Sequence, residues 1–227
     1  MVVRYTPAER RPGRLSGGNR DSLKTYHQES VGKTQLAVAR LIRPGSRVLE
    51  AGCATGYFTR YLSQEMGCRV TAVEINPSAA EQAATFAERM IVGDITDPAV
   101  WDQAGGGFDS IIFADVLEHL ADPAAVLRCC LPALTEGGGV VASIPNVAYY
   151  KIRKELLLGR WDYTDSGIMD DSHLRFFTRK TVIALFEASG YTVDRLDRVY
   201  RAKTDWRLHW LCPDAFTYQF VVRALPR

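Results

Sequence analysis

Hydrophobic positions between residues 47 and 145 follow two alternating patterns. Short apolar runs alternate with segments in which apolar side chains recur at roughly helical spacing. The first pattern is typical of buried strands and the second of amphipathic helices. Five strands are therefore predicted, at RVLEAG, RVTAVE, RMIVGD, FDSIIFAD and GGVVASIP.

Three of the intervening helices carry the same start signal. Asn76-Pro77, Asp97-Pro98 and Asp122-Pro123 each place an Asx side chain before a proline. The Asx oxygen accepts a hydrogen bond from an N–H that the first helical turn leaves unpaired, and proline suits the first helical position. These signals predict where each of the three helices begins.

Strands such as IIFA and VVAS are apolar on both faces, which is typical of a parallel sheet covered by helices on both sides. Repeated strand–helix units then predict an α/β fold with an open, doubly wound, Rossmann-like sheet. Two later segments, YTVDRLDRVY and FTYQFVVRAL, alternate apolar and polar residues like half-exposed strands. We therefore expect a mostly parallel seven-stranded sheet that finishes with an antiparallel C-terminal edge strand.

Charge and composition divide the chain into a tail and one domain. Residues 1–20 contain five arginines against one glutamate, a charge of +4, so the rest of the chain carries −2 of the total +2. That remainder is not the basic surface of a nucleic-acid-binding protein. Proline and glycine are frequent in the tail, so residues 1–22 are expected to be basic and disordered, and residues 23–227 to form the domain. Within that domain, residues 146–177 are expected to be an insert or lid.

The cysteines and the lengths of the hydrophobic runs indicate the cellular location of the protein. Five cysteines, an odd number, occur without C-x-x-C spacing, which argues against a disulfide framework and a zinc knuckle. Unpaired cysteines agree with a reducing compartment. The sequence shows no run of eighteen apolar residues and no apolar segment near its start. The expected location is the cytoplasm.

The turn after the first strand, Glu50-Ala-Gly-Cys-Ala-Thr-Gly56, is rich in small residues. Glycine lets a chain turn sharply and lets a ligand approach the backbone. The turn fits E-x-G-x-(G/A)-x-G rather than the dinucleotide pattern, and GKT at 32–34 lacks the upstream glycine and strand of a P-loop. Glu74 and Asp94 lie at the ends of the next two strands. Acids at these places suit a ribose diol and an adenine amino group, although one such acid by itself is commonly only a cap.

These residues resemble class I S-adenosylmethionine-dependent methyltransferases. VLEAGCATGYFTRYL resembles the first motif of that family, VTAVEINPSAAEQA the second, and FDSIIFADVLEHLADP the segment around strand four. SIPN and DYTDSGIMDDSHLRFFT further resemble bacterial methyltransferases of sugars, surface glycans and secondary metabolites. The likeness runs from about residue 25 to 200. Two departures are Glu50, where aspartate is frequent, and Ala54, where glycine is commoner; alanine costs little there if its φ stays negative.

The resemblance implies S-adenosyl-L-methionine as the cofactor and S-adenosyl-L-homocysteine as the product. It places the methionine and ribose parts of the cofactor against the first turn, and the ribose hydroxyls on the second acid. The adenine then lies beside strands two and three, and the methionine end beside strand four. The cofactor-binding residues that it implies are Glu50, Ala51, Gly52, Cys53, Ala54, Gly56, Tyr57, Phe58, Glu74, Ile75, Asn76, Asp94, Ile95, Ala114, Asp115 and Val116.

Methyl transfer from a sulfonium is an in-line displacement, for which the protein holds the acceptor close to the methyl carbon. A hydroxyl acceptor also benefits from a general base. His119 and His173 are the candidate catalytic residues, each as a base or as a substrate ligand, with a structural role as the alternative for both. The chemistry needs no metal, and the family likeness is to metal-independent enzymes. No metal is therefore expected.

The segment WDYTDSGIMDDSHLRFF, residues 161–177, lies in a connection of about thirty residues between strand five and the next helix, and such long loops are often lids. Asp170, Asp171 and His173 are of residue types that bind metals, but two other interpretations are favoured. In one, the acids and the histidine form a wall of the acceptor site; in the other, acids cap turns and Arg175 pairs with a neighbouring acid. The candidate substrate residues are His27, Asn146, Tyr149, Tyr150, Tyr163, Asp170, Asp171 and Arg175.

The sequence thus predicts methyl transfer to a hydroxyl, or less readily an amine, of a small polar acceptor such as a sugar or a secondary metabolite. The expected partners are that acceptor, no nucleic acid and no membrane, in a monomer or homodimer. One rival is an RNA or protein methyltransferase that would bind its substrate in a salt-dependent way. Its basic track would consist of the arginine-rich tail with Lys151, Arg153, Lys154 and Arg160. The other rival is a non-catalytic homologue that binds the cofactor.

Overall fold

A computed structural model describes residues 31–227, with the side chains of Lys203, Thr204 and Leu208 excepted. The basic tail predicted for residues 1–22 and the candidate residue His27 lie outside the described residues.

The seven predicted strands form one sheet with the order β3-β2-β1-β4-β5-β7-β6. The first five strands are parallel to one another, and the chain reverses its winding between β1 and β4. The strand bounds are Arg47–Ala51 (β1), Arg69–Glu74 (β2), Arg89–Val92 (β3), Phe108–Ala114 (β4), Leu134–Pro145 (β5), Tyr191–Val199 (β6) and Gln219–Pro226 (β7). The predicted doubly wound α/β fold is confirmed.

The C-terminal edge of the sheet is antiparallel, as predicted, but β7 is not its outermost strand. β7 pairs in antiparallel register with β5 on one side and with β6 on the other. The outer strand β6 therefore runs in the same direction as the first five strands. The inner strand β7 is buried at most of its positions, whereas β6 keeps several polar side chains at the surface.

Helices connect the strands and cover both faces of the sheet. Their bounds are Lys33–Ala39 (α1), Tyr57–Arg60 (α2), Pro77–Ala83 (α3), Pro98–Ala104 (α4), Pro123–Cys130 (α5), Tyr150–Leu157 (α6), Arg179–Ala188 (α7), Lys203–Leu208 (α8) and Pro213–Phe216 (α9). A π-helical turn continues α2, and 3₁₀ turns lie at Leu117–His119 and Leu131–Ala133. Among the described residues, no helix is both long and apolar enough to cross a bilayer.

The three predicted helix starts are confirmed. The side-chain oxygens of Asn76, Asp97 and Asp122 each accept a hydrogen bond from the backbone of the first helical turn, at 3.0, 2.9 and 3.0 Å. Proline occupies the first turn of α3, α4 and α5. These capping bonds satisfy N–H groups that a helix start otherwise leaves unpaired.

Two hydrophobic clusters lie on opposite faces of the sheet, as its apolar strands predicted. Consecutive residues of β4 divide between them, because successive strand side chains point to opposite faces. Ile111 packs with Leu127 and Phe186 of α5 and α7, and Ile112 packs on the other face with Val38 of α1 and Phe58 of α2.

The insert between β5 and α7 is closed on itself rather than being an open loop. A parallel bridge joins Asn146 to Phe177, and a second joins Thr164 to Asp170. Tyr149, Ile168 and Met169 form a small buried cluster of their own inside it. The insert therefore has its own apolar support on the rim of the sheet, next to the ends of β4 and β5.

Candidate functional site

The turn after β1 is built from three residues in the left-handed region: Gly52, Ala54 and Gly56 have φ values of 69°, 51° and 80°. A Cβ on Gly52 would lie 2.8 Å from Cγ2 of Val116, and one on Gly56 would lie 2.6 Å from Cα of Ala83. Both positions therefore require glycine for conformation and for space. Alanine at position 54 would cost little only with a negative φ, and that condition is not met, because Ala54 lies in the same left-handed region as the two glycines.

The carboxylate of Glu74 holds this turn. It accepts hydrogen bonds from the backbone N–H of Ala54 at 2.8 Å and from that of Asn76 at 2.9 Å. β1 and β2 are parallel neighbours in which Ala51 is paired with Val73, so their carboxyl ends lie side by side. Glu74 is buried, and its two oxygens fix the ends of two connections at once.

Glu50 lies below the turn and is also buried. It accepts a hydrogen bond from Oγ1 of Thr59 at 2.7 Å. Burial, with a smaller contribution from the charge of Glu74, raises the pKa of Glu50 to about 8, although the bond from Thr59 opposes the shift. Burial also raises the pKa of the neighbouring Cys53 thiol far above its ordinary value.

The ends of β2 and β3 present a mixed polar and apolar surface beside this turn. Ile75 is 60% exposed, which is unusual for an isoleucine between a buried glutamate and a buried asparagine. Asp94 is exposed and accepts a hydrogen bond from the N–H of Thr96 at 2.8 Å, and Ile95 is buried with its carbonyl bonded to Trp101. An exposed apolar side chain flanked by carboxylates suits a flat ring with hydrogen-bonding edges.

Asp115 connects the turn side of the site to a cavity. It follows β4 with a φ of 59° and accepts hydrogen bonds from Oγ of Ser143, at 3.0 Å, and from the amide of Gln219. Gln219 in turn accepts a hydrogen bond from Thr34 of α1 at 2.6 Å. Burial raises the pKa of Asp115 to about 6, with the Ser143 hydroxyl opposing the shift. The end of β4 is thereby tied to β5, β7 and α1.

The cavity beside Asp115 has a volume of about 240 Å³. It lies between the ends of β4, β5 and β7 and the inner side of the insert. The residues that line it are Asp115, Glu118, His119, Pro145, Gly167, Ile168, Asp170, His173, Tyr218 and Gln219. It brings together both candidate catalytic histidines, although 54 residues separate them along the chain.

The two histidine rings lie edge to face with their centroids 4.7 Å apart. Nδ1 of His173 lies 3.0 Å from the carbonyl oxygen of Ile168. Nδ1 of His119 lies 3.1 Å from Oγ and 3.3 Å from the carbonyl oxygen of Ser172. The Ser172 hydroxyl donates to Asp170 at 2.5 Å, so it accepts from His119. In a neutral ring, donation from Nδ1 to these oxygens leaves the lone pair on Nε2.

Glu118 completes this group from the 3₁₀ turn after β4. Its side chain is 1% exposed, and neither carboxylate oxygen has a hydrogen-bond partner among the described residues. Burial, and then the charge of Asp115, raise the pKa of Glu118 well above its ordinary value. Its backbone carbonyl accepts hydrogen bonds from the N–H groups of Leu174 and Arg175, at 2.9 and 3.0 Å. The insert is therefore fastened to the turn that carries Glu118 and His119.

The other candidate substrate residues have different positions. Asp170 lines the cavity, whereas Asp171 and Tyr163 are exposed on the outer side of the insert. Tyr150 is half-buried, with its ring centroid 4.8 Å from that of Tyr149. Arg175 donates to the carbonyl of Ala121 rather than pairing with an acid, so the structure corrects that part of the structural interpretation.

Asn146 and Tyr149 are buried, and their polar atoms bond to the C-terminal part of the chain. The amide of Asn146 donates to the carbonyls of Asp214 and Thr217 at 2.7 and 2.8 Å, and its oxygen accepts from the N–H of Ala148 at 3.0 Å. The Tyr149 hydroxyl donates to Asp205 at 2.8 Å. Both side chains are thus bonded to other parts of the chain, and neither residue lines the cavity.

Six residues that line the cavity were not among the candidates: Glu118, Pro145, Gly167, Ile168, Tyr218 and Gln219. Gln219 begins the last strand and Tyr218 directly precedes it, and the apolar alternation of this strand gave no sign of a site. The place of Glu118 next to His119 after a strand was a usable signal. Burial of its carboxylate without a hydrogen-bond partner among the described residues is visible only in three dimensions.

Comparison with known proteins gives a family-level match. A family model described as a methyltransferase domain matches residues 25–196. The ubiquinone biosynthesis O-methyltransferase of Xanthomonas campestris pv. campestris (strain B100) is 31% identical over 127 residues, which are 54% of this chain and 53% of that protein. The chain spans about half the length of the curated relatives it matches.

Solved structures share the fold. The magnesium protoporphyrin IX methyltransferase of Synechocystis PCC 6803, with bound SAH, matches with a TM-score of 0.59 and 16% identity over 86% of this chain and 80% of that one. The mitomycin 7-O-methyltransferase matches with a TM-score of 0.59 and 17% identity over 86% of this chain and 53% of that one. At such identities the likeness concerns the fold.

Proposed function

Since this chain belongs to the methyltransferase-domain family, we propose that it is an S-adenosylmethionine-dependent methyltransferase that acts on a hydroxyl of a small polar acceptor. The observation that carries the proposal is the position of Asp115. It lies at the end of β4 between the left-handed turn after β1 and the polar cavity under the insert. A cofactor on the turn and an acceptor in the cavity would meet there.

The cofactor seat is supported by the turn and the acids beside it. Gly52 and Gly56 let the turn pass through the left-handed region and pack closely against its neighbours, and Glu74 is placed at the end of β2 as an acceptor for a ribose diol. Ile75, Asp94 and Ile95 supply the adenine side, and Ala114 to Val116 the methionine end. This order follows the general rule that open α/β sheets bind ligands beyond the carboxyl ends of their strands.

The acceptor class is inferred from the size and lining of the cavity. A volume of about 240 Å³ is below the roughly 300–1,000 Å³ of common ligand pockets. Three acids, two histidines, a glutamine and a tyrosine among its lining residues favour a hydroxylated acceptor such as a sugar or a small secondary metabolite. The curated relative is named an O-methyltransferase, which favours an oxygen over a nitrogen as the atom that receives the methyl group.

The reaction is an in-line displacement. The acceptor oxygen forms a bond to the methyl carbon while the bond from that carbon to sulfur breaks, which leaves S-adenosylhomocysteine, a methyl ether and one proton. Holding the two reactants in line supplies much of the rate. His119 and His173 lie in the cavity wall, where either ring can take the proton of the acceptor hydroxyl as a base or hold that hydroxyl by a hydrogen bond.

Two measurements test the proposal. Calorimetry should show that S-adenosylmethionine and S-adenosylhomocysteine each bind at one equivalent. Labelled cofactor should then transfer its methyl group to one or more members of a set of sugars, aminosugars and phenols, with little dependence on salt. If neither cofactor form binds at high micromolar concentration, the proposal is wrong; if transfer occurs only to RNA or a protein and falls steeply with salt, the acceptor class is wrong.

The place of action is proposed to be the cytoplasm. All five cysteines are free thiols in the structure, which agrees with a reducing compartment.

A further inference from the structure

We propose that Glu118, His119 and His173 form a binding site for a divalent transition-metal ion, and that this ion holds the acceptor hydroxyl. The claim that an ion binds is argued from these three residues. The claim that this ion holds the acceptor also rests on the proposed function. The proposal replaces the metal-free transfer that the sequence led us to expect.

The three side chains converge on one point. Each offers a ligand atom, and all three ligand atoms lie within 4.8 Å of one another. One carboxylate and two imidazoles form a donor set that Zn²⁺, Fe²⁺, Mn²⁺ and related ions bind, and three protein ligands leave positions open for another ligand. The open side faces the 240 Å³ cavity in which an acceptor would lie.

The surroundings of Glu118 are a second, independent argument for a bound cation. A buried carboxylate normally accepts hydrogen bonds, because burial without a partner is unfavourable. Here both oxygens lack a partner among the described residues, and the side chain is 1% exposed. A bound cation would supply the partner.

Both histidines are oriented as metal ligands commonly are. A ligating imidazole usually donates its other N–H to a carbonyl or to a carboxylate, directly or through a hydroxyl, which fixes the ring and the tautomer. His173 donates from Nδ1 to the carbonyl of Ile168, and His119 donates from Nδ1 to Ser172, which in turn donates to Asp170. In neutral rings, these hydrogen bonds leave the lone pair on Nε2 and fix its direction before any ion binds.

The frame around the site is fixed by backbone contacts. Two N–H groups of the insert, from Leu174 and Arg175, donate to the carbonyl of Glu118. His173 therefore keeps its position relative to Glu118 and His119 across a separation of more than fifty residues. Such preorganisation lowers the entropy cost of binding an ion.

An ion at this site would act on the acceptor as a Lewis acid. Its charge stabilises the oxygen of the acceptor as that oxygen gives up its proton to water and forms the bond to the methyl carbon. The sulfur keeps the electron pair of the bond that breaks. Because Nε2 of each histidine would then bind the ion, neither ring acts as the general base.

Cobalt binding to the full chain tests the site. After dialysis against a chelator and its removal, titration with Co²⁺ should reach one equivalent and develop visible d–d absorption. Glu118→Gln and His173→Gln should each weaken Co²⁺ binding by at least about 100-fold, and Ser172→Ala by about 10–100-fold. Asp162→Asn, which removes an exposed carboxylate from the same insert, should bind Co²⁺ like the wild type.

The possible outcomes are decisive in both directions. If the wild type binds no Co²⁺, or if the folded variants bind it as tightly as the wild type, the proposal is overturned. Thermal unfolding shows which variants are folded, and each of the three site variants is informative without the others. Titration of S-adenosylhomocysteine into the same samples separates the two claims: intact cofactor binding without Co²⁺ binding refutes the metal site alone.

Discussion

The carboxylate of Glu74 accepts a hydrogen bond from the backbone N–H of Ala54 at 2.8 Å, so the end of β2 holds the turn that follows β1. The same carboxylate is the proposed partner of the cofactor ribose. It therefore has two roles that substitutions can separate.

Replacement of Glu74 by alanine should weaken the binding of S-adenosylhomocysteine at least tenfold, a loss of about 1.4 kcal/mol or more. It should also lower the free energy of unfolding by about 1–3 kcal/mol, because two buried N–H groups lose their acceptor. Calorimetry and urea unfolding measure the two effects. Glu81→Gln on the exposed side of α3 is the control. Unchanged cofactor affinity in a folded Glu74→Ala variant would falsify the ribose assignment.

Ala54→Gly should stabilise the protein. Ala54 has a φ of 51°, a region that glycine adopts without a steric penalty. We expect a gain of about 0.5–1 kcal/mol, or a rise in Tm of about 1–4 °C for a chain of this size. Ala51→Gly in β1 also removes a buried methyl but relieves no positive φ, so it should lower Tm instead. A lower Tm for Ala54→Gly would contradict the conformation of the turn.

The stability of the ligand-free protein should depend on pH through Glu50. Its pKa rises from 4.5 to about 8 on folding, so the folded state binds more protons than the unfolded state between these values. The free energy of unfolding therefore falls as pH rises from 4.5 to 8, by at most about 1.4 kcal/mol per pH unit from this one group. Glu50→Gln should flatten the profile measured by urea unfolding, whereas Glu65→Gln, at the surface, should not. Parallel profiles for wild type and Glu50→Gln would show that Glu50 ionises normally.

Replacement of His119 or His173 by alanine should reduce turnover at least about 100-fold, while affinity for S-adenosylhomocysteine changes by less than about threefold. Both rings line the cavity, and no residue of the turn after β1 is among its lining residues. Single-turnover transfer of labelled methyl, with cofactor affinity measured in parallel, separates the two quantities. Equal loss of turnover and of cofactor affinity would indicate a collapse of the cavity instead of a role toward the acceptor.

Asn146→Ala should lower the stability of the protein more than it changes the binding of the acceptor. Its side chain makes three hydrogen bonds to the backbone, and their loss should lower the free energy of unfolding by about 2–4 kcal/mol. Urea unfolding and the KM for the acceptor distinguish this role from substrate contact. A raised KM with unchanged stability would restore the role that the sequence suggested for Asn146.

The sequence by itself determined the strand–helix alternation, three helix starts and the Gly-rich turn with its acids. Each of these is encoded locally: the cap of α3 is Asn76 bonding two residues ahead, and the strands show their two buried faces in consecutive side chains. Interactions between residues that are close in the sequence can be recognised from the residue types at those positions, which is why these predictions were confirmed. The sequence also selected His119 and His173, but as two separate candidates.

Only the tertiary structure decided what those residues do together. It placed β7 inside β6, turned Asn146 and Tyr149 into buried supports, and gave Ala54 a positive φ. It also brought Glu118, His119 and His173 to one point and left the carboxylate of Glu118 without a hydrogen-bond partner within residues 31–227. These features arise from contacts between residues tens of positions apart, and periodicity and capping signals carry no information at that range.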